Sequence, residues 1–353
     1  MLESTFVTEK TMESQAFFLT KKGAAAEAFE LRKFDIPEPT GNKVLVEAEA
    51  FGLNYADVMA RRGLYREAPP MPCIVGYEVV GKIIACGPDA NKENLNKRVV
   101  AFCRFGGYAK HVITDDYATV GVGDQDSIEL LALCTQVVTA YYMAEYLTPI
   151  HSIDRVLIHA AAGGVGSILI QLAKMKGAEV IAKVGQKDKE QFVLDLGADH
   201  VINYRDSDYS DQLESYLQGG RIDISYNPVA GSTYKKDMKL LGSGGRMILF
   251  GGSELANGKW GIFSKLNFVR KMGSLMPIAL MMRSKNILGV NMLKIADNKP
   301  KVLEHCLQAS VKLYTDGKIK PQVGGSYSSD QMAEAHTALE SGKTTGKLGI
   351  IWS

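Results

Sequence analysis

A glycine-rich turn between a strand and a helix constrains the fold of this chain more than any other feature. The segment RVLIHAAAGGVGSILIQLAKMKGAEVIA begins at Arg155 and reads as a strand, a turn of small residues, an amphipathic helix and a second strand. In the G-x-G-x-x-G frame, Ala161 replaces the first glycine, and Gly163 and Gly166 are the other two. A small first residue permits the tight turn, the second glycine lets backbone approach a pyrophosphate, and the third allows close helix–strand packing. This context predicts a dinucleotide site at the helix N-terminus, with a purely structural glycine turn as the alternative.

The end of the second strand decides which dinucleotide is expected. NAD-binding proteins usually have Asp or Glu here to hydrogen-bond the ribose hydroxyls, but this strand ends AKVGQKDK, with Val184 at that position. Lys183, Lys187 and Lys189 surround the turn, and a cationic neighbour suits the 2′-phosphate of NADP(H). We therefore predict NADPH as the cofactor. The alternative is that these lysines form a solvated helix start.

The order of predicted elements divides the 353-residue chain into two kinds of structure. The first third has short β-rich segments separated by Gly, Pro, Asn and Asp, which indicates an all-β, barrel-like unit. From about residue 150 onward, strands and helices alternate, as is typical of a parallel sheet covered by helices on both faces. After about residue 300 come two helical segments and a closing strand, KLGIIW. The predicted class is therefore α/β, with two domains.

Composition excludes several classes of protein. Lys+Arg total 41 and Asp+Glu 39, a near-neutral balance that is typical of a soluble globular protein and argues against a nucleic-acid partner. No apolar run approaches the roughly 18–20 residues of a membrane-spanning helix. The N-terminal MLESTFVTEKTMESQ lacks the features of a secretory signal and is expected to be a short flexible lead-in. Because the five cysteines are scattered and form no C-x-x-C pair, we predict reduced thiols and a cytoplasmic protein.

Three motifs, taken in order, resemble those of the medium-chain dehydrogenase/reductase superfamily: GLNYADVMARRGLY (52–65), VGYEVVGKI (75–83) and AAAGGVG (160–166). Within it, the chain is similar to the zinc-free quinone oxidoreductases, the group of ζ-crystallin. It particularly resembles their branch that contains the synaptic vesicle membrane protein of the vesicle amine transport type, which IKP and the ending TGKLGII also resemble. The resemblance implies a GroES-like β-barrel catalytic domain made of residues 1–137 and 296–353, an inserted Rossmann domain of residues 138–295, and a homodimer.

The chain departs from the zinc alcohol dehydrogenases of that superfamily at the metal sites. Asn54 stands where the family pattern has a cysteine ligand, Tyr77 stands where it has a histidine ligand, and the family's four-cysteine loop is missing. Cys134 lies close to the third ligand position, but a lone thiol does not make a zinc site and is expected to be a buried small hydrophobe. We therefore predict no metal, and hydride transfer from NADPH to a quinone or an α,β-unsaturated carbonyl compound.

The resemblance also assigns candidate site residues. On the catalytic side it implies that Asn54 and Tyr65 line the nicotinamide cleft, with Arg61 nearby. Asn54 is the strongest candidate because its amide can donate to an acceptor oxygen; Tyr65 is equally well explained by packing, and Arg61 is better explained by a structural ion pair. On the cofactor side it implies Gly163, Gly164, Val165 and Gly166 at the pyrophosphate; Gly185, Lys189 and Tyr204 at the 2′-phosphate end; Thr139 near the nicotinamide ribose; and Phe250, Gly251, Gly252 and Ser253 at the dinucleotide crevice. Asn227 stands where relatives usually carry Asp, which leaves its role open.

Residues 259–293 are unusual in combining apolar, methionine-rich and basic character. A membrane-surface helix has this composition, but a mobile substrate lid or a subunit contact explains it as well, and we favour the lid or contact. Two alternatives to a zinc-free enzyme stay open. One is a low-turnover NADPH-binding protein that acts through a membrane or protein partner, and the other is a zinc alcohol dehydrogenase, which bound zinc would indicate.

Overall fold

The computed structural model describes residues 11–256 and 262–353, and most of the expected lead-in lies outside this range. Residues 11–15 of that lead-in belong to a strand, so the flexible segment predicted for them is wrong. The chain forms two compact units. The first unit runs up to Thr135 and includes Gly325–Glu340 and Leu348–Ser353; the second consists of Gln136–Gly324 and Ser341–Lys347.

The described strands and helices alternate in type along the second unit and are mostly strands in the first. The strands are β1 (Thr11–Leu19), β2 (Phe29–Pro37), β3 (Lys43–Leu53), β4 (Cys73–Ile74), β5 (Glu78–Cys86), β6 (Arg98–Phe102), β7 (His111–Asp115), β8 (Thr119–Gly121), β9 (Arg155–Ile158), β10 (Glu179–Val184), β11 (His200–Asn203), β12 (Ile222–Asn227), β13 (Leu241–Leu249), β14 (Asn286–Gly289), β15 (Val323–Ser328) and β16 (Lys347–Ile351). The helices are α1 (Ala25–Ala28), α2 (Tyr55–Arg61), α3 (Ser127–Ala132), α4 (Val138–Tyr141), α5 (Gly164–Met175), α6 (Asp188–Asp195), α7 (Tyr209–Leu217), α8 (Ser232–Leu240), α9 (Ser253–Ala256), α10 (Ile262–Met272), α11 (Pro277–Arg283), α12 (Met292–Asn298), α13 (Pro300–Thr315) and α14 (Met332–Glu340).

A parallel sheet forms the centre of the second unit. Its strand order is β11-β10-β9-β12-β13-β14, and each neighbouring pair is parallel. Counted from β9, this is the 3-2-1-4-5-6 order of the doubly wound dinucleotide-binding fold. The central strands are runs of buried apolar residues, such as VLI in β9 and VIA in β10, because helices cover both faces of such a sheet. The predicted α/β class and its Rossmann domain are confirmed.

Antiparallel strands form the first unit. One sheet has the order β15-β16-β3-β5-β6-β8, with β7 also paired to β3, and a second sheet has the order β2-β1-β4. The β3–β5 pairing shifts register twice, which bends the strands as a barrel requires. Aromatic rings fill the interior: Phe17 stacks on Trp352 with 5.5 Å between ring centres, and Phe51 lies 4.8 Å from Tyr108. The predicted GroES-like β-barrel domain is confirmed.

The division between the units differs from the expected domain boundaries in two places: residues 296–324 and Ser341–Lys347, both expected in the first domain, belong to the second unit. The first unit gives way to the second after Thr135, close to the expected residue 137, but the second unit continues to Gly324, well beyond the expected residue 295. Helix α13 lies in this additional stretch and packs along α4, with the His305 ring 6.0 Å from that of Tyr141. The sequence predicts that α13 is a helix, but it does not show which surface the helix covers. The unit to which α13 belongs could therefore not be predicted from its being a helix.

One apolar helix is longer than the sequence predicts. Ser127–Leu147 form a continuous helical stretch, with π-type turns after α3 and after α4, that is long and apolar enough to cross a membrane by length and composition. The helix meets this test on its mean hydropathy only, because polar side chains interrupt its apolar run, namely Glu129, Thr135, Gln136, Thr139 and Glu145. Most of it is buried: 72% of its most apolar window lies inside the structure, as in the core helix of a globular protein.

Candidate cofactor and catalytic sites

The predicted glycine loop lies at the carboxyl end of β9, where helix α5 begins. Ala160 closes the turn with a positive φ of 49°, so the tight bend comes one residue before the Ala161 to which the sequence frame assigns it. Gly163 is extended and precedes the helix. The first helical hydrogen bond runs from the Ser167 N–H to the Gly163 carbonyl (2.9 Å), so the N–H groups of residues 164–166 precede it, as at every helix N-terminus. These N–H groups are the ones that can hold a pyrophosphate.

A side chain at each glycine of the loop would have a different steric effect. A Cβ atom on Gly166 would lie 2.5 Å from the Ala160 carbonyl oxygen, so α5 could not pack so closely on the turn. A Cβ on Gly164 would overlap the side chain of Gln136, a residue that the sequence does not single out. A Cβ on Gly163 meets only the Ala160 oxygen, at 3.2 Å. The loop therefore fits a pyrophosphate, because it combines a helix N-terminus with backbone that a ligand can approach.

Gln136 and the predicted ribose neighbour Thr139 lie one turn apart on the same helical stretch. Thr139 belongs to α4, which packs against α5, and it is 9% exposed. Gln136 is equally buried and lies over Gly164. The packing of α4 on α5 therefore brings both polar side chains to the same helix that begins with the glycine loop.

The turn after β10 brings together two of the residues predicted at the 2′-phosphate. A Cβ atom on Gly185 would overlap the Tyr204 hydroxyl, so the phenol lies directly against the glycine backbone. Half of the Tyr204 surface is exposed. Val184 is buried at the end of β10, so this position lacks the acid that binds ribose hydroxyls in NAD-binding proteins. The turn offers a phenol hydroxyl and a backbone N–H as donors to a phosphate oxygen.

Lys189 contacts the protein's own backbone at the position where we predict a 2′-phosphate contact. Its Nζ donates to the carbonyl oxygens of Gly342 (2.8 Å) and Thr344 (2.7 Å), and burial lowers the pKa of the ammonium group. Both carbonyls belong to Ser341–Lys347, which we call the tail segment. An ammonium group has three donors, so Lys189 ties the tail segment to α6 and keeps one N–H for another acceptor.

The tail segment carries a lysine that sequence reasoning missed. Its Gly346 N–H donates to the Ala162 carbonyl (3.1 Å), which brings the segment alongside the glycine loop. Lys343 lies between the two carbonyls that Lys189 holds, and it is exposed. No spacing rule connects a residue this late in the chain to the glycine loop, so no sequence signal could have found it.

Lys183 does not belong to the predicted cationic turn, because it is buried inside the second unit. Its Nζ lies 3.2 Å from Nδ1 of His159 and 3.8 Å from the centre of the Tyr209 ring. Only 6% of its surface is exposed, and burial lowers its pKa to about 8. Successive side chains of a strand point to opposite faces of the sheet, and helices cover both faces here. Lys183 is therefore not available to a cofactor phosphate.

A buried aspartate organises the turn after β12 and gives Asn227 a role. Asp237 accepts hydrogen bonds from the Tyr209 hydroxyl (2.7 Å), the Ser225 hydroxyl (2.6 Å) and Nδ2 of Asn227 (2.7 Å), and Nε2 of His159 lies 2.8 Å from it. Burial opposes its charge, but His159 and these donors together hold the pKa of Asp237 below its usual value. Oδ1 of Asn227 accepts from two N–H groups of the following turn, at 2.9 Å each. Asn227 thus shapes this turn.

The residues predicted after β13 lie beside the same turn. The Phe250 N–H donates to the Asn227 carbonyl (3.3 Å), and the Ser253 N–H donates to the Pro228 carbonyl (3.0 Å). A Cβ atom on Gly251 would lie 2.7 Å from that Pro228 oxygen, so glycine allows the two turns to pack. These residues therefore lie at the carboxyl edge of the sheet, which is the edge that binds dinucleotides in this fold.

In the first unit, Asn54 directs its amide at a buried carboxylate. Its Nδ2 lies 2.8 Å and 2.9 Å from the two carboxylate oxygens of Glu78, which is fully buried. The Thr135 hydroxyl donates to the same carboxylate. The Asn54 side chain also accepts from the Asp57 N–H as the N-terminal cap of α2. The amide donor that we expect to face an acceptor oxygen thus faces Glu78.

Glu78 and Asp57 are two acids of this site that sequence reasoning missed. Asp57 is fully buried and accepts hydrogen bonds from the N–H groups of Asn54 (2.8 Å) and Gly76 (3.1 Å), which joins the start of α2 to the turn before β5. A signal was present, because both acids fall within apolar motif segments, NYAD and GYE. Buried acids are rare and are nearly always paired, so each predicts a partner.

Two tyrosines lie together next to these acids. The ring centres of Tyr65 and Tyr77 are 6.5 Å apart, with the rings nearly perpendicular. Tyr77 is buried and Tyr65 is half-buried. Burial is the main cause that raises the pKa of both phenols, and the charge of Asp57 raises it further. Both side chains therefore keep their protons near neutral pH and act as hydrogen-bond donors.

Arg61 is buried in an ion pair. Its guanidinium contacts the Glu340 carboxylate and the Gly23 carbonyl, and Arg62 contacts the same carboxylate. Only 1% of Arg61 is exposed. These contacts are those of the structural ion pair that the sequence analysis favours for Arg61. They direct its charge to Glu340 instead of to the Asn54–Glu78 pair.

Metal-ligand geometry is not found among residues 11–256 and 262–353: no three His, Cys, Asp or Glu side chains there are grouped so that they could hold an ion. Cys134 is fully buried, as predicted for a small hydrophobe. At the two positions where the zinc alcohol dehydrogenases carry ligands, the site is built from the Asn54–Glu78 contact and from the Tyr77 phenol.

Comparisons with known proteins agree with this architecture. A family model described as alcohol dehydrogenase GroES-like domain matches residues 40–124, and one described as zinc-binding dehydrogenase matches residues 164–308. Quinone oxidoreductase of Homo sapiens is 28% identical over 319 residues, which cover 90% of this chain and 91% of that protein. The synaptic vesicle membrane protein VAT-1 homolog of Danio rerio is 28% identical over 342 residues, covering 96% and 70%. The crystal structure of Escherichia coli quinone oxidoreductase complexed with NADPH superposes with a TM-score of 0.83 at 27% identity, covering 96% of this chain and 99% of that one.

A parallel dinucleotide-binding sheet in one unit and a GroES-like barrel in the other define a two-domain dehydrogenase or reductase. The two family models that the chain matches are those of the medium-chain dehydrogenase/reductase superfamily, and its relatives include quinone oxidoreductases and VAT-1 homologs, which confirms the resemblance predicted from the sequence. The chain is therefore an oxidoreductase by class. The homodimer and the cytoplasmic location stay predictions.

Proposed function

We propose that this protein transfers a hydride from NADPH to a quinone or to an α,β-unsaturated carbonyl compound. The supporting observation is the carboxyl edge of the second unit. There a glycine loop opens α5, and β10 ends without an acid next to the Tyr204 hydroxyl. An Escherichia coli relative with this fold is a quinone oxidoreductase complexed with NADPH. The residues present fit that cofactor at both its pyrophosphate and its 2′-phosphate.

The chain offers donors for each charged part of the cofactor. The N–H groups of residues 164–166, at the positive end of the α5 dipole, hold the pyrophosphate. The Gly185 N–H and the Tyr204 hydroxyl contact the 2′-phosphate, and the charges of Lys189 and Lys343 attract it. When bound, the reduced nicotinamide supplies the hydride.

On the acceptor side, we assign donation to Tyr65 and positioning to Asn54. A quinone or enone oxygen gains negative charge as it is reduced, and a donor aimed at that oxygen stabilises the charge. Tyr65 is half-buried and protonated, because burial raises its pKa, so its hydroxyl can donate without ionising. The Asn54 amide is committed to Glu78 and fixes the start of α2, which carries the segment that leads to Tyr65.

Turnover and binding are measured separately to test this function. The purified protein is supplied with NADPH and a panel of quinones and unsaturated ketones while NADPH absorbance is followed, and cofactor affinity is measured by calorimetry. We expect oxidation well above background with at least one acceptor, and tighter binding of NADPH than of NADH. NADPH binding with background oxidation across the panel would reject hydride transfer and leave the low-turnover cofactor-binding protein as the explanation.

A further inference from the structure

An open cavity of about 930 Å³ lies at the surface of the second unit, and its lining is separate from the proposed cofactor contacts. Its walls come from α8, the start of β13 and the end of α10 through α11, a region that the structure describes from residue 262 on. The volume is at the upper end of the range for small-molecule sites, so it holds a ligand much larger than an inorganic anion. None of the residues predicted to bind NADPH or the acceptor lines it.

The charged part of the lining is entirely positive. It consists of Arg221, Lys235, Lys239, Arg283 and Lys285, and none of the Asp or Glu residues that the structure describes lines the cavity. Lys239 pairs with Glu214 outside it (2.7 Å), but no carboxylate partner is found for the other four among the described residues. Burial lowers the pKa of Lys285, and the neighbouring charges of Arg283 and Arg221 lower it further. Like charges at this density favour binding of an anion.

The remaining lining is mostly apolar and rich in methionine. Met238, Met272 and Leu280 form half-buried wall, and Met276 at the rim is 63% exposed. Beyond the rim, Met281 and Met282 are 71% and 79% exposed. A polar ligand would gain nothing from this surface, whereas an acyl chain removes it from water, and the flexible thioether side chains adapt to such a chain.

We propose that this cavity binds a lipid with a phosphate head and an acyl chain. Arg221, Lys235, Arg283 and Lys285, for which no carboxylate partner is found among the described residues, hold the head, and the methionine-rich wall takes the chain. This lipid site is independent of the hydride-transfer function. A single lipid fits the cavity better than a second copy of the chain, because the described lining has no carboxylates with which the cations of a second copy would pair.

The probe is oleoyl lysophosphatidate, used below its micelle-forming concentration and titrated calorimetrically into the full-length protein. Two comparison probes separate the contributions: oleoyl lysophosphatidylcholine has the same chain with a net-neutral head, and inorganic phosphate has the head alone. We expect saturable binding of lysophosphatidate, roughly tenfold or more weaker binding of the neutral analogue, and no measurable binding of phosphate. Equal affinity for both lipids, or tight binding of phosphate alone, would overturn the proposal.

A matched pair of double variants locates the site. R221Q with R283Q removes two charges from the cavity, and K265Q with R270Q removes two from the exposed side of α10 outside it. We expect the first pair to weaken lysophosphatidate roughly ten- to a hundredfold and the second to change it little. Equal losses would show general surface attraction and overturn the site.

A filling variant distinguishes a lipid from a subunit contact. Ala279→Trp places a large side chain in the half-buried wall, and we expect it to abolish lysophosphatidate binding with the oligomeric state unchanged in sedimentation. Circular dichroism melting shows whether each variant is folded, and R221Q with R283Q repeats the test if the tryptophan variant is not. If wild-type protein binds no lysophosphatidate and the filled variant loses a dimer that the wild type forms, the face is a subunit contact and the proposal fails.

Discussion

Replacing Gly166 by alanine tests whether α5 must lie against the turn after β9. The new Cβ atom would lie 2.5 Å from the Ala160 carbonyl oxygen, whereas ordinary contact begins at 3.4 Å, so the helix or the turn must move by about 0.9 Å. Overpacking of this kind costs about 1–3 kcal/mol, and the better helix propensity of alanine offsets up to about 1 kcal/mol. We expect the free energy of unfolding to fall by about 1–2 kcal/mol, and NADPH to bind more weakly because the N–H groups of residues 164–166 move with the helix.

Unfolding in urea, followed by circular dichroism, and calorimetric NADPH titration measure the two effects. Gly121→Ala is the matched control, since its Cβ would have no atom within 4 Å, and both quantities should stay at the wild-type values. Gly163→Ala, whose Cβ meets one oxygen at 3.2 Å, should destabilise less than Gly166→Ala yet weaken NADPH at least as much, because its methyl group occupies the ligand's approach. A Gly166→Ala protein with wild-type stability and affinity would refute the packing argument.

Three further predictions concern charged side chains. Asn54→Asp places a second carboxylate beside buried Glu78, so the free energy of unfolding in urea should fall by about 3–5 kcal/mol at neutral pH, less in acid, and adding Glu78→Gln should restore most of it. The pKa of Lys183 falls from 10.5 to about 8 on folding, so between pH 8 and pH 10.5 the unfolded chain binds more protons than the folded protein. The free energy of unfolding should therefore rise with pH in this range. Lys183→Met should abolish that rise. Lys189→Ala should weaken the binding of NADPH more than that of NADH, and it should speed amide hydrogen exchange in the tail segment. Lys343→Ala should weaken NADPH binding in the same way but leave hydrogen exchange in the tail segment unchanged. Equal losses of affinity for both cofactors would contradict the phosphate assignment.

Local rules predicted the fold of the second unit well because its signals are close in sequence. The strand, turn and helix around Gly166 follow one another directly, and the glycine meets the carbonyl of Ala160 six residues earlier, so motif and contact coincide. The grouping of residues 296–324 with the second unit was not expected, for the opposite reason. Helix α13 is amphipathic, and such a helix packs on either unit equally well until its partner is known, which here is α4.

The candidate sites show the same limit at the level of side chains. Gly185 and Tyr204 could be paired from the motif, but burial of Lys183 depends on helices that cover β10, and the sequence gives no direction for a lysine at a strand end. The Asn54 amide looks free in the sequence, because its partner Glu78 lies on another strand and only the barrel brings them within 2.8 Å. Pairing between distant strands is the information that one sequence does not carry.

The pairing of β16 with β3 has a consequence for how the chain is made. Leu348 sits opposite Leu53 in the same sheet, yet the whole of Gln136–Gly324 is synthesised between them. On the ribosome, β7 can pair with residues 43–47 of one edge of β3, but residues 50–53 of that edge stay unpaired while the parallel sheet of the second unit completes itself. An exposed strand edge invites pairing with other chains, so the nascent first unit is the part of this protein most in need of a chaperone until the last strand arrives.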